Sequence, residues 1–404
     1  MIRERLIEAL IIFLKAWPVW APLAALYIGF HTWLRYKQRE WIKGHGKVLL
    51  EIKLPNELFK SPVAMEIFLQ ALYQPSINNL TDVYLNGRVR MWTSLELVSD
   101  GGRVHFYIWT FAFLRKAVET QLYAVFPNIE IHEVPDYSLA VKYDPKKYKF
   151  GKFSHIVLTK ADAYPIKTYI DYGLDKDPKE EYKNDPITPV IEFLGSLKPG
   201  EHAWIQILLR AHAKEGLQYG RIITKPDWKG AANDEIKKIL KEAKLQGEVK
   251  DASPARALSE AQKDTIKAIE RSIDKSAFDT MIRVAYFAEE AAYNPANIGG
   301  ILGAFKQFNS QNMNGFKPSS KSFDYPWQDF AGIRKAKWER EMLEAYKRRA
   351  IFSTPFKDFH NKPYILTTEE VATLYHFPSA MVAATPTLAR LPSKKAEAPA
   401  NLPI

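Results

Sequence analysis

The chain has 404 residues, 47% of them hydrophobic and 25% charged, a balance that excludes a disordered chain and suffices for two or three domains. Its 57 Lys and Arg against 46 Asp and Glu give a net charge of +11, which favours contact with anionic lipid, nucleic acid or an acidic partner. The absence of cysteine excludes disulfides, thiolate metal sites and cysteine nucleophiles.

Residues 17–34, WPVWAPLAALYIGFHTWL, carry no formal charge and continue an apolar run from LIEALIIFLKA upstream. As a helix this stretch is roughly 27 Å long, close to a hydrocarbon core. Trp17 and Trp20 sit at one end, and Trp33, Tyr36 and Trp41 at the other, the spacing of interfacial aromatic anchors. Arg35, Lys37 and Arg39 follow the apolar run where a signal peptide would carry a small-residue cleavage site. The expectation is a membrane anchor over residues 1–45, with a single transmembrane helix at about 12–34. The basic residues Arg35, Lys37, Arg39 and Lys43 outnumber Arg3, Arg5 and Lys15, which places the main body on the cytoplasmic side of a cell membrane.

Beyond residue 45 the pattern is mixed α and β. KVLLEIKL (47–54) alternates as a strand, and Ser61 with Pro62 opens a helix. A hairpin turns at Asp100-Gly101-Gly102. A helix through FLRKAVETQLYAVF and a strand at IEIHEV complete the order βαββαβ over residues 46–150, the split form of a ferredoxin-like unit. The same order recurs over 151–360. Strands are expected at 153–160, 203–212 and 278–290, with a closing strand at 350–356. Helices are expected from Thr188-Pro189 and from Asn294-Pro295. A helical insertion at about 220–275 includes a capping box, Ser259 to Gln262. The fold class predicted is α+β: a transmembrane helix, then two tandem ferredoxin-like units, the second with the insertion.

No motif for catalysis or metal binding emerges. G-x-x-x-x-G-K-[ST] is absent, so no P-loop is expected; the histidines lack metal-ligand spacing; and no G-x-S-x-G elbow occurs. Gly299, Gly300 and Gly303 suit close helix–sheet packing. No catalytic residue, metal or cofactor is therefore assigned. The run at 334–349 mixes Arg334, Lys335, Lys337, Arg340, Lys347, Arg348 and Arg349 with Trp338, a set that suits a phosphate backbone and base stacking. The competing reading is a solvated amphipathic helix with i,i+4 partners Glu339, Glu341 and Glu344.

Residues 361–404 open with a capping box, Thr367 to Glu370, and continue as a Pro-punctuated basic tail. TEE.ATL.HFP, TP.L.R and SKKAE.P.NLP in this segment, and LGSLKPGEHAWIQILLRA at 194–211, resemble the N-terminal portion of type IV secretion and conjugation DNA-translocating ATPases. In that family the segment leads into the motor. The resemblance implies a non-catalytic component that docks or regulates a separately encoded translocation ATPase at the lipid bilayer, alone or as an oligomer. The alternatives are a truncated or split part of a full ATPase, and a membrane-tethered nucleic-acid-binding protein that contacts DNA.

Overall fold

The computed structural model describes residues 5, 8, 14–55, 60–75, 79–176, 184–214, 216, 227–246, 258–319, 327 and 329–378 (the side chains of 244–246 excepted). In chain order, α1 (Trp17–Gly44) precedes β1 (Lys47–Lys53), α2 (Pro62–Leu72), α3 (Leu80–Tyr84), β2 (Thr93–Asp100) and β3 (Arg103–Phe111). Next come α4 (Arg115–Val125), β4 (Glu130–Val134), α5 (Tyr137–Ala140), β5 (Tyr148–Leu158), α6 (Thr188–Gly195) and β6 (Glu201–Ala211). Then follow α7 (Trp228–Gln246), α8 (Glu260–Ile273), β7 (Ala277–Glu289), α9 (Ala296–Gly303) and β8 (Phe316–Pro318). The last are α10 (Ile333–Lys347), β9 (Tyr364–Thr367) and α11 (Thr368–Leu374).

Local chemistry accounts for most of these boundaries. Ser61 Oγ accepts from Val63 N at 3.3 Å, capping α2 with Pro62 in its first turn. Gly101 and Gly102 both take positive φ, +57° and +87°, as a two-residue hairpin requires. A Cβ on Gly102 would also lie 2.5 Å from the Leu197 carbonyl oxygen. Ser259 and Gln262 form the predicted capping box on α8. At α6 the expected cap is displaced: Ile187 holds the N-cap position, without a side-chain cap, and the Thr188 hydroxyl has no partner. Asn294 does serve α9, its Oδ1 accepting from Ala296 N at 3.1 Å.

The strands form one antiparallel sheet in the order β4-β1-β3-β2-β6-β7-β5-β8, with β9 added on β7. Read outward from the centre, the first half is β2-β3-β1-β4 and the second is β6-β7-β5-β8. The two halves therefore repeat one permutation and join through β2 and β6, paired from Thr93↔Leu209 to Asp100↔His202. The insertion lies between β6 and β7 as expected. Its helices α7 and α8 build a satellite core of Trp228, Ala232, Ile239 and Ile269, against which Ile365 of β9 packs.

The strand expected at 350–356 is replaced by bends and turns, and the second half closes instead with β8. The reason is local. Arg349 has φ +46° and Pro355 lacks an N–H, while the Ala350 carbonyl accepts from Arg283 rather than from a neighbouring strand.

Two compact units divide the chain. The sheet with its helices is one. The other contains α1 and α3. Within it, Phe30 packs on Tyr84 with ring centroids 5.6 Å apart, and a Cβ on Gly87 would fall 2.3 Å from the Lys37 carbonyl carbon. The expected transmembrane helix at about 12–34 requires correction. Residues 12 and 13 lie outside the described residues, and α1 runs on to Gly44 through Arg35, Lys37, Arg39, Glu40 and Lys43. Among the described residues no helix is long and apolar enough to cross a membrane. Pro18, Pro22, Gly29, His31, Thr32 and the tryptophans lower the mean hydropathy of a segment that is free of charge.

The segment expected to act as a linker is also revised. Thr367 caps α11 through a complete capping box, but β9 pairs with β7 and every residue from Thr368 to Leu374 is buried. Tyr375 and Phe377 pack on Phe106 at 5.7 and 5.5 Å, and Phe377 on Phe126 at 4.9 Å. Residues 364–378 thus belong to the core. The Pro-rich tail at 379–404 lies outside the described residues.

Candidate functional site

Side chains alternate along a strand, so directly paired residues share one face of a sheet. One face here is apolar and buried, with Leu50, Phe106, Leu95, Leu97, Ile205 and Ile282. The other carries a polar row through the paired residues His132, Glu51, Tyr107, Glu96, Gln206, Arg283 and His155.

The centre of that row is a closed buried network. Glu96 accepts from Arg349 Nε and Nη2, both at 3.0 Å, from Gln206 Nε2 at 3.0 Å, from Ser94 Oγ at 2.6 Å and from Tyr137 OH at 2.7 Å. Arg349 also pairs with Asp136 and donates to Ser138 Oγ at 3.2 Å. Burial works against the Arg349 charge, but Glu96, Tyr137 and Asp136 outweigh it and hold the guanidinium well above its ordinary value. Arg349 reaches this position because it takes a left-handed conformation just past α10, a geometry usually given to glycine.

Arg283 is fully buried beside this pair and bonds neutral groups. It donates to Ala345 O at 2.9 Å, Ala350 O at 2.6 Å and His155 Nε2 at 3.3 Å. Burial lowers its pKa to about 9, so it stays charged at neutral pH. The Ala345 carbonyl belongs to the last turn of α10, where helix-end carbonyls favour a cation. Burial first, then Arg283, push His155 down to about 3. His155 is therefore neutral, with Nε2 accepting from Arg283 and Nδ1–H donating to Asn361 Oδ1 at 3.1 Å. These charges are committed to protein partners, and the network fastens α10 and residues 349–361 to the sheet.

A second cluster surrounds the start of α11. Glu370 accepts from Ile166 N at 3.0 Å and from Thr367 N at 2.8 Å, and burial raises its pKa to about 7. Glu369 accepts from Thr168 Oγ1 at 2.6 Å and pairs with Arg271 at 3.0 Å. Lys275 joins Glu66 at 2.6 Å. His376 meets Asp185 at 2.8 Å; burial opposes its protonation, and Asp185 more than compensates. Among the described residues no group of His, Cys, Asp or Glu could hold a metal ion.

The basic residues expected at 334–349 are not one surface. Arg349 is wholly buried, which removes it as a nucleic-acid contact. Lys347 and Arg348 approach Glu344 at 3.9 and 3.4 Å, and Lys337 approaches Glu341 at 3.9 Å. Arg340 lies over the Tyr143 ring at 5.4 Å, and Trp338 packs on His360 at 4.0 Å. Arg334 and Lys335 give their backbone N–H groups to Asp329, leaving exposed side chains at the start of α10.

The expected interfacial residues are mostly exposed on α1. Trp17, Trp20, Trp33 and Tyr36 are joined there by Val19, Leu23, Leu26, Tyr27 and Ile28, with Leu26 73% exposed. Arg35 and Arg39 are exposed, Trp41 packs on His45 at 4.0 Å, and Lys37 lies over Trp33 at 5.2 Å while pairing with Glu40 at 2.9 Å.

Sequence reasoning missed Glu96, Gln206 and Arg283 as a set. The available signal was a lone arginine in TMIRVAYFA and a lone glutamate in SLELV, charges inside otherwise apolar strands.

No curated protein matches the chain. The model of the family described as a domain of unknown function, DUF8128, matches residues 30–389, and the chain belongs to that family.

Proposed function

We propose that the chain is a non-catalytic, membrane-associated component that docks or regulates a separate translocation ATPase of the type IV secretion or conjugation kind. The observation that carries the membrane part is α1, whose aromatic and aliphatic side chains from Trp17 to Tyr36 are exposed in large number and pass directly into Arg35, Lys37 and Arg39. A helix apolar on most of its circumference needs a non-aqueous partner, and basic residues beside aromatic anchors suit an anionic bilayer surface. The repeated strand permutation supports reading the sheet as two ferredoxin-like units in tandem. The docking role rests on the resemblance of residues 194–211 and 368–378 to the translocating ATPases. DNA binding through α10 has less support, because Arg349 faces inward.

Flotation of the full chain with phosphatidylglycerol-containing vesicles tests the membrane reading. The wild type should rise with the vesicles, and the variant with Leu23→Asp, Leu26→Asp and Ile28→Asp should stay at the bottom of the gradient. Equal flotation of the two, or no flotation of either, overturns it.

A further inference from the structure

Phe330 and Trp327 are 86% and 79% exposed, above every other large hydrophobic side chain among the described residues, and Ile333 is 67% exposed. All three stand at the entrance to α10, on the sheet unit. The backbone there presents them outward. Ala331 and Gly332 take successive left-handed conformations, φ +55° and +71°, a geometry that persists for an alanine only where its surroundings hold it. Asp329, itself buried, supplies that hold: Oδ1 and Oδ2 accept from the backbone N–H groups of Arg334 and Lys335 at 2.7 and 2.8 Å. The side chains of Arg334, Lys335 and Lys337 are exposed just beyond. Lys337 approaches Glu341 at 3.9 Å, and an exposed pair of this kind binds its charges weakly.

We propose that this tip, Trp327, Phe330 and Ile333 with Arg334, Lys335 and Lys337, is a second membrane contact, carried by the sheet unit itself and fitted to an anionic bilayer. The two rings and the Ile333 side chain enter the headgroup region, and the three cations meet lipid phosphates. Aromatic side chains favour the membrane interface, and basic residues beside them are drawn to anionic lipid. Large apolar side chains gathered exposed in one short stretch mark an interaction site. A single-stranded nucleic acid would stack on the two rings, but it offers Ile333 no contact of that kind. The inference takes its partner from the membrane reading of α1 and rests on other residues.

The chain has no cysteine, so Ala331→Cys in the full chain takes a single nitrobenzoxadiazole dye at the tip and leaves the six residues in place. With phosphatidylglycerol vesicles its emission should shift to the blue and be quenched by nitroxide-labelled lipid. The same dye on Lys237→Cys, at an exposed position of α7, should stay unchanged. Phe330→Ser with Ile333→Ser should remove the shift. So should Arg334→Ser with Lys335→Ser and Lys337→Ser, since each cation at an anionic surface is worth about fivefold in partition. All five side chains are exposed, so their loss leaves the core intact. An unshifted dye overturns the proposal, as does an equal shift at Lys237→Cys or an unchanged shift in either variant. A shift with single-stranded DNA and none with vesicles assigns the tip to nucleic acid and overturns it too. Flotation reads α1 and the dye reads the tip. Flotation with an unshifted dye defeats this proposal alone. A shifted dye with equal flotation of the Leu23→Asp, Leu26→Asp, Ile28→Asp variant upholds it and defeats the reading of α1.

Discussion

Arg349 and Glu96, 253 residues apart in sequence, form a two-bond ion pair, Nε to Oε1 and Nη2 to Oε2 at 3.0 Å each, with neither side chain exposed. Removing one partner leaves a buried charge uncompensated, which costs about 3–5 kcal/mol, more than the pair itself contributes. Arg349→Met should therefore lower the urea midpoint strongly, and adding Glu96→Gln should restore part of the loss. Strict additivity of the two changes in a double-mutant cycle would show that the pair is not coupled.

Stability should also depend on the proton at Glu370. Its folded value of about 7 lies above the ordinary 4.5, so below pH 4.5 the carboxyl is protonated both folded and unfolded. Between pH 4.5 and about 7 the unfolded chain releases a proton that the folded one keeps, and stability falls as pH rises. Glu369 and His376 are also raised and act in the same direction, whereas His155 is depressed and loses stability as pH falls below its ordinary 6.5 toward 3. These contributions cancel when wild type is compared with Glu370→Gln, which keeps a side chain suited to a capping box. The stability of wild type minus that of Glu370→Gln should drop by about 3 kcal/mol across the window. A flat difference from pH 4.5 to 7 rules this out.

Two adjacent glycines of α9 should respond with opposite sign. A Cβ on Gly300 would lie 2.3 Å from the Phe193 ring, while one on Gly299 would meet nothing within 4 Å. Gly300→Ala should destabilise by about 1–3 kcal/mol through overpacking. Gly299→Ala should stabilise by about 0.5–1 kcal/mol through helix propensity. Thermal melts of the two variants check this, and a shared sign contradicts the packing assigned to Phe193. Of these glycines Gly300 serves the contact with α6, and α9 packs on β7 as well, in line with the helix–sheet contact expected.

α10 begins with three exposed basic side chains, Arg334, Lys335 and Lys337, the last within 3.9 Å of Glu341. If DNA is not a ligand, replacing all three with Ala should leave duplex affinity unchanged between 50 and 200 mM salt, about the range over which phosphate contacts show themselves. A fall in the salt slope of about two or more would restore the nucleic-acid reading.

What could be read from the sequence follows from the range of the forces involved. Alternation in KVLLEIKL, the Gly101-Gly102 turn and the Ser259 and Thr367 caps act over a few residues, so β1, the hairpin, α8 and α11 stood where expected. The repeat of element order was visible for the same reason. The inward turn of Arg349 was not, because it depends on a positive φ and on Glu96 and Asp136 far away in sequence. AIFSTPF is expected as the closing strand, yet its carbonyl at Ala350 serves Arg283, a competition no local pattern encodes. A cavity lined by Trp92, Leu209 and Phe278 likewise arises from elements that meet only in the folded sheet.

The placement of residues 364–378 has a mechanical consequence. Thr367 is paired to Ala277 in the second half of the sheet, and a few residues later Phe377 is seated between Phe106 and Phe126 of the first. A pulling force applied to the chain beyond Pro378 would meet the aromatic seat first and the β9–β7 hydrogen bonds next. Load entering there would be shared by both halves, as with a stitch that passes through two layers of cloth.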